Sequence, residues 1–464
     1  MKNGIIFMPH GNLQYSQLPI EKRAWVSQVS YDKIFDISER LGVKIAFEAS
    51  GETLEIVANE TPEVMEKLIR GIKEGRIEPV ASPQTHIMLG NIDPEIGYRS
   101  LVEGLNTWER LTGVRPVTGW NPECSWNSYI VDIFKRAGFK TLIADADSYF
   151  LSTVEGVREK TGLKFDVRGH SNKNELFKLE DIVAGSDELL RKFTHANVLP
   201  NGLKVILRSD MLCNIMLWYL MGATEGNRPN PVTIEEVKEV LAKWQARIAE
   251  KGGFLMPYAE DAEYVGTTAY FYVKQFGQAR FFESEPESAV RFEQILSSAK
   301  EMGFEFVTPS EAAEKFEVNK IDNFDKIETG CAWHGGTSRA WANTPYSRML
   351  DPVCKSIFDG LKAVSAHLGV DPYENEAMNA VMKAVTTAYV SDARWPPAPT
   401  SPGRFNVREA LDALYTANDG LKAVMEENGI ADKCSLYSYN IMLTQIKAID
   451  DELMAMDYFE EQNK

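Results

Sequence analysis

Short runs of apolar residues alternate with segments of helical periodicity along the first two thirds of the chain. The apolar runs are Gly4 to Met8, Val43 to Phe47, Ile77 to Ala81, Lys140 to Ala144, Leu203 to Leu207, Phe254 to Tyr258 and Phe304 to Val307. Runs of this length, bounded by turn residues, fit strands buried on both faces of a parallel sheet. Between them lie amphipathic segments. Ala24 to Leu41 is stopped by Gly42, and Thr61-Pro62 opens a second helix with Val64, Met65, Leu68, Ile69 and Ile72 on one face. Asn127 to Ala137 carries Ile130, Ile133, Phe134 and Ala137 on one side and ends at Gly138. Thr233 and Glu236 form a capping box ahead of Val237, Leu241, Trp244 and Ile248, and Pro286 to Met302 is a further helix. The alternation predicts an α/β fold with a parallel sheet.

Polar residues gather just after the predicted strands: His10, Glu48, His86, Glu123, Asp145, Arg208 to Asp210, and the cluster Glu260 to Tyr264. Parallel barrels and open α/β sheets carry their active sites at that edge. From about Ser152 to Pro200 the pattern loosens and turns polar, as an insertion over the site would. Past Lys320 the style changes. A loop rich in aromatics and glycines, Cys331 to Trp341, precedes a mostly helical remainder, broken once by the proline-dense segment Ser391 to Gly403 with Trp395 in it. The expected division is therefore 1–320 for the α/β part and 321–464 for an aromatic loop and a helical domain that contributes to the site.

Composition narrows the partners. With 50 Lys and Arg against 67 Asp and Glu, the net charge is −17. That field repels nucleic-acid backbones and anionic lipid headgroups and says nothing against a neutral sugar. The five cysteines are scattered and form no Cys-x-x-Cys, so neither a disulfide framework nor a zinc ribbon is expected. The apolar run near the start is too short for a signal-peptide core and Leu212 to Met221 too short for a membrane span, which points to a cytoplasmic protein.

The chemistry centres on Gly119 to Tyr129, Gly-Trp-Asn-Pro-Glu-Cys-Ser-Trp-Asn-Ser-Tyr, where Glu123 lies between two indoles. Flat apolar faces stack on sugars and carboxylates cut glycosidic bonds, although a glutamate ahead of a helix also serves as a first-turn charge. A second acidic cluster, Glu260-Asp261-Ala262-Glu263-Tyr264, follows a later strand. There, crowding of like charges raises a carboxyl pKa, as a general acid requires. Arg208 and Asp210 are expected to pair and hold the rim, and His170, His195 and His367 to be surface or structural residues.

These motifs, in this order, resemble glycoside hydrolase family 57, retaining α-glucan-active enzymes built on an incomplete parallel (β/α)7 barrel followed by an all-helical domain. His10 is similar to the family's first motif, with His-Gly-Asn in place of the common His-Gln-Pro, and Gly75-Arg-Ile-Glu78 resembles the second. The resemblance implies that Glu123 is the nucleophile and Asp261 the general acid/base. It further implies substrate contacts from His10, Glu78, Trp120, Glu263, Trp333, His334 and Trp395, an oligo- or polysaccharide substrate, and no metal or other cofactor. Two alternatives stay open. A metal-dependent polysaccharide deacetylase needs an Asp pair at the first strand and a His-x-x-x-His, and none of the six histidines has that spacing. A catalytically silent glycan-binding protein would have little reason to keep both carboxylates.

Overall fold

A computed structural model describes residues 3–15, 17–166, 172, 175–222, 230–249, 251–273, 278–395 and 405–456; His170 and most of the proline-dense loop lie outside the described residues. The described chain divides into two compact units. The first comprises residues 1–13, 18–84 and 89–339, and the second 14–17, 85–88 and 340–464.

The first unit is an incomplete barrel. Its first strand, β1 (Gly4–Phe7), shifts register at Ile5 to Phe7 and continues as β2 (His10–Gly11). From β2 the ladder runs parallel through β3 (Ile45–Ala49), β4 (Ile77–Ala81), β5 (Thr118–Trp120), β6 (Thr141–Asp145) and β8 (Lys204–Arg208), with the short β7 (Asn197–Val198) antiparallel to β8. On the other side of β1 lies β9 (Phe254–Tyr258), also parallel. Among the described residues no ladder joins β8 to β9, so the seven parallel strands do not close. That opening is spanned by a side chain: Arg208 donates to the Ala259 carbonyl at 3.2 Å and to Glu260 at 2.5 Å.

The apolar runs form strands because both of their faces find apolar partners. Ile6, Met8, Ala46, Val80, Trp120, Ile143, Ile206 and Met256 build one buried cluster. Ala312, Ala313 and Phe316, on and just after the helix Pro309–Lys315, complete it. Each isoleucine, valine, methionine or phenylalanine among them contributes roughly 1.5–3 kcal/mol when fully buried. The helix stops hold where glycine relieves the left-handed turn, as at Gly42 (φ 60°) and Gly138 (φ 101°).

Two predicted elements differ from what forms. Periodicity predicts one helix over Ala24 to Leu41, but the chain is α-helical over Arg23–Val26, π-helical over Ser27–Tyr31 and α-helical again over Asp32–Leu41. The helix expected from Asn127 begins only at Ile130. The residues before it are held elsewhere, since the Trp126 N–H donates to the Cys331 carbonyl and the Gly330 N–H to the Trp126 carbonyl, each at 2.8 Å.

The second unit is helical, with Pro345–Leu368, Glu376–Ala388, Phe405–Glu427 and Tyr439–Ala455 as its long elements. Arg394 is buried in it and donates to Asp351 at 2.7 Å and to the carbonyls of Ala388 and Val390 at 2.9 Å. Among the described residues no helix is long and apolar enough to cross a membrane. All five cysteines are free thiols.

Candidate active site

Glu123 sits on a turn that the backbone holds in an unusual shape. β5 ends at Trp120, and Pro122–Cys124 form one 3₁₀ turn in which Glu123 (φ 57°) and Cys124 (φ 48°) both take left-handed conformations. Outside glycine each such residue costs on the order of 1–2 kcal/mol. The surroundings supply the restraint. Asn121 donates its side-chain amide to the Ser125 carbonyl, Ser125 accepts the Gly90 N–H at 3.0 Å, and Trp126 is tied to residues 330 and 331 as described. Glu123 is left half-buried on this fixed turn.

A second set of groups meets at the ends of β2, β3 and β9. His10 pairs with Asp261 as a parallel backbone bridge, and its N–H donates to the Glu260 carbonyl at 2.9 Å. Its imidazole Nδ1 bonds Glu48, which faces it from β3, and its ring stacks near Trp120 with centroids 6.0 Å apart. Burial pulls this imidazole down, but Glu48, and beyond it Asp261 and Glu263, outweigh burial and push its pKa up to about 10. The result is a buried imidazolium at the rim.

Glu263 is fully buried next to it. Its Oε1 accepts from the Tyr31 hydroxyl and from the Asn12 N–H at 2.8 Å. Burial, and then the neighbouring Asp261, push its carboxyl up to about 7. Three buried polar atoms around this rim have no hydrogen-bond partner among the described residues: Glu263 Oε2, Glu48 Oε1 and Trp120 Nε1. Orphaned buried groups of this kind are rare in folded proteins and mark places where a polar ligand or water completes the bonding.

A third group lies between β6, β8 and the 331–337 loop. Arg208 grips Asp210 with both terminal nitrogens, at 2.6 and 2.9 Å, and also holds Glu260. His334, itself left-handed at φ 56°, bonds Asp210 through Nδ1 and lies perpendicular to Trp333. Burial would raise the Asp210 carboxyl, but Arg208 and then His334 hold it well below the usual carboxylate range. Burial pushes Asp145 the other way, up to about 6 against the opposing pull of Arg208. Asp145, Asp147 and Asp210 bring carboxylate oxygens within 4.8 Å of one another, close enough to hold a metal ion. Their donors are protein groups, however: Ser209 and the Asp210 N–H for Asp147, Ser148 for Asp145, and Arg208 for Asp210.

The structure therefore brings His10, Trp120, Asp261 and Glu263 together at one rim. Trp333 packs against the barrel cluster that includes Trp120. Glu78, expected to contact substrate, lies near the start of β4, where its carboxylate accepts from Thr118 Oγ1 at 2.5 Å, Ser310 N at 3.0 Å and Ser310 Oγ at 2.8 Å. Glu260, expected to crowd Asp261, also bonds Arg208, whose single positive charge it shares with Asp210. His195 is structural and buried, bonded to Thr194 at 3.1 Å. Trp395 belongs to the helical unit, where its ring lies 4.6 Å from that of Trp341.

Glu48 stands among the polar strand ends of the sequence but was given no role there. One member of the rim, Tyr31, was not singled out by sequence reasoning; it lies in the π-turn of the helix expected over Ala24 to Leu41.

The model of glycosyl hydrolase family 57 matches residues 14–325. An α-amylase from Pyrococcus furiosus is 24% identical over 143 residues, which are 30% of this chain and 22% of that protein. Among solved structures, a branching enzyme from Thermococcus kodakaraensis aligns over 91% of this chain and 92% of its own, with a TM-score of 0.61 and 14% identity. A 4-α-glucanotransferase from Thermococcus litoralis aligns over 90% of this chain and 60% of its own, with a TM-score of 0.58 and 14% identity. The chain thus spans less than two thirds of the length of the amylase and of the glucanotransferase. The structural likenesses concern the fold.

Proposed function

Because the chain belongs to glycosyl hydrolase family 57, we propose that it is a retaining α-glycoside hydrolase or transglycosylase acting on an α-linked glucan or oligosaccharide. Glu123 attacks the anomeric carbon while Asp261 passes its proton to the leaving glycosidic oxygen. The C–O bond breaks and a glycosyl ester forms on Glu123. Asp261, now a carboxylate, takes a proton from the acceptor hydroxyl, whose oxygen displaces Glu123 from the opposite side. Two inversions give net retention, and the geometry of such enzymes calls for carboxyl groups about 5–5.5 Å apart.

The observation that carries this reading is the convergence at one rim of Asp261 with His10, and of His10 with Trp120 at the end of the strand that leads to Glu123. The orphaned atoms Trp120 Nε1, Glu48 Oε1 and Glu263 Oε2 support a ligand rich in hydroxyl groups, which both donate and accept. A cytoplasmic location and acceptor choice, water or a second sugar, are part of the same proposal.

Intact-protein mass spectrometry with α-glucosyl fluoride tests it. Wild type should gain one glucosyl mass on the peptide that holds Glu123, and Glu123→Gln should gain none while melting at the wild-type temperature. A label mapped to another residue, or an equal label on both proteins, would remove Glu123 from the nucleophile role.

A further inference from the structure

The helix running from Arg23 to Leu41 contains a single π-turn, Ser27–Tyr31. Single π-turns inside α-helices are rare and occur frequently at functional sites. Here the turn is moulded to the segment that follows Asp261. The Ser30 hydroxyl donates to the Ala262 carbonyl at 2.6 Å. Gly266 passes so close to Val29 that a Cβ would stand 2.0 Å from the Val29 carbonyl oxygen. Tyr31 is buried, packs edge-on against Phe47 at 5.2 Å and gives its hydroxyl to Glu263.

We propose that Tyr31 is a positioning residue for proton transfer at Asp261: its hydroxyl holds Glu263 in the carboxylate form beside Asp261, and that negative charge keeps the proton on Asp261. The proposal rests on the reading of Asp261 as the acid/base. The groups facing Glu263 from the packed elements are Tyr31 and the Asn12 N–H as donors, His10 from β2 as a cation, and Asp261 as a like charge. Glu48 from β3 is engaged by His10, and Glu260 by Arg208. The β9 hydroxyl of Tyr258 donates to the Asp261 carbonyl at 2.9 Å. Two direct donors and one imidazolium therefore offset part of the burial and like-charge cost that raises the Glu263 carboxyl, and Tyr31 supplies the donor that a substitution can remove without touching the backbone. With its carboxyl poised near neutrality, losing that donor makes Glu263 neutral over more of the working pH range.

The test is Tyr31→Phe in the full chain, which retains the ring against Phe47, with Glu263→Gln and Asp261→Asn beside it. Carboxyl titration is followed by infrared difference spectroscopy, with the Glu263 band identified by its loss in Glu263→Gln. In Tyr31→Phe that titration should move upward by roughly one unit. The alkaline limb of kcat/KM on an aryl α-glucoside with a poor leaving group should move toward acid pH in both Tyr31→Phe and Glu263→Gln. On α-glucosyl fluoride, which needs little acid assistance, it should stay in place. An unmoved limb in both variants, while Asp261→Asn abolishes it, would overturn the proposal and leave the Asp261 reading intact. A limb that survives in Asp261→Asn would overturn that reading, and this proposal with it. Should Tyr31→Phe fail to fold, Glu263→Gln alone decides, since it removes the same charge.

Discussion

Glu78 and Glu263 are both buried acids of the barrel unit, yet their surroundings differ in kind. Glu78, near the start of its strand, is held by neutral donors from Thr118 and Ser310, which tie β4 to β5 and to the helix Pro309–Lys315. Glu263, at the opposite edge, sits among Asp261, His10 and Glu48 and keeps one oxygen without a partner among the described residues. One end of the barrel spends its buried acid on joining elements; the other concentrates charge that the fold alone does not satisfy. The difference separates a carboxylate satisfied by the fold from one that keeps an oxygen without a partner among the described residues, and it is invisible in the motif Gly-x-x-Glu.

The sharpest way to break the contrast is at Asp261. Asp261→Asn should slow a substrate with a poor leaving group by about 10²–10⁴-fold and an activated fluoride far less, because only the former needs a proton in the first step. Equal losses on both substrates, read from kcat/KM, would make Asp261 a binding group and reduce the rim to a sugar cradle.

Much of this architecture was legible in the chain. Apolar runs such as Lys140 to Ala144 and Phe254 to Tyr258 became strands, and the Thr233–Glu236 capping box formed, since each rests on local chemistry that tertiary packing reinforces. The polar strand ends at His10, Trp120 and Asp261 did gather. What local chemistry does not encode is which donors arrive from elsewhere. Ser310 reaches Glu78 across 232 residues of sequence, and Tyr31 reaches Glu263 across the same separation. Both contacts decide the role of the acid they touch. The π-turn that delivers Tyr31 has the same apolar spacing as an ordinary helix, so periodicity could not mark it. The left-handed pair Glu123 and Cys124 was equally hidden, because neither is a residue that favours that conformation.

The charged edge should also announce itself in stability. Glu263 is raised from the ordinary glutamate range to about 7, so the native state binds its proton more tightly than the unfolded chain does. Its favourable contribution is complete below the unfolded pKa near 4.5 and is lost as pH rises through about 7. Asp145, raised to about 6, works in the same direction, whereas Asp210, held low, contributes above its unfolded pKa and loses that only in strong acid. At about 1.4 kcal/mol per unit, Glu263 alone accounts for up to roughly 3 kcal/mol between mildly acidic and neutral pH. Glu263→Gln should therefore flatten the fall in unfolding free energy over that window, measured by urea titration at stepped pH. An unchanged slope would mean that the carboxylate is solvated, and the contrast with Glu78 would weaken.

The smallest effect on turnover is expected at the other end of the barrel, and it is the more discriminating for that. Glu78→Ala leaves the Thr118 hydroxyl, the Ser310 N–H and the Ser310 hydroxyl without their acceptor in a buried setting, which costs about 1–3 kcal/mol for each one left unsatisfied. The variant should melt several degrees lower, and its urea midpoint should fall with little change in slope, since no new surface is exposed in the native state. Its kcat and KM should match wild type once assays are run well below its melting temperature. Because Glu78 forms no part of the rim, no change in leaving-group dependence should accompany the lost stability. The reverse pattern, a fall in kcat at unchanged melting temperature, would return Glu78 to the substrate site and erase the distinction between the two buried acids.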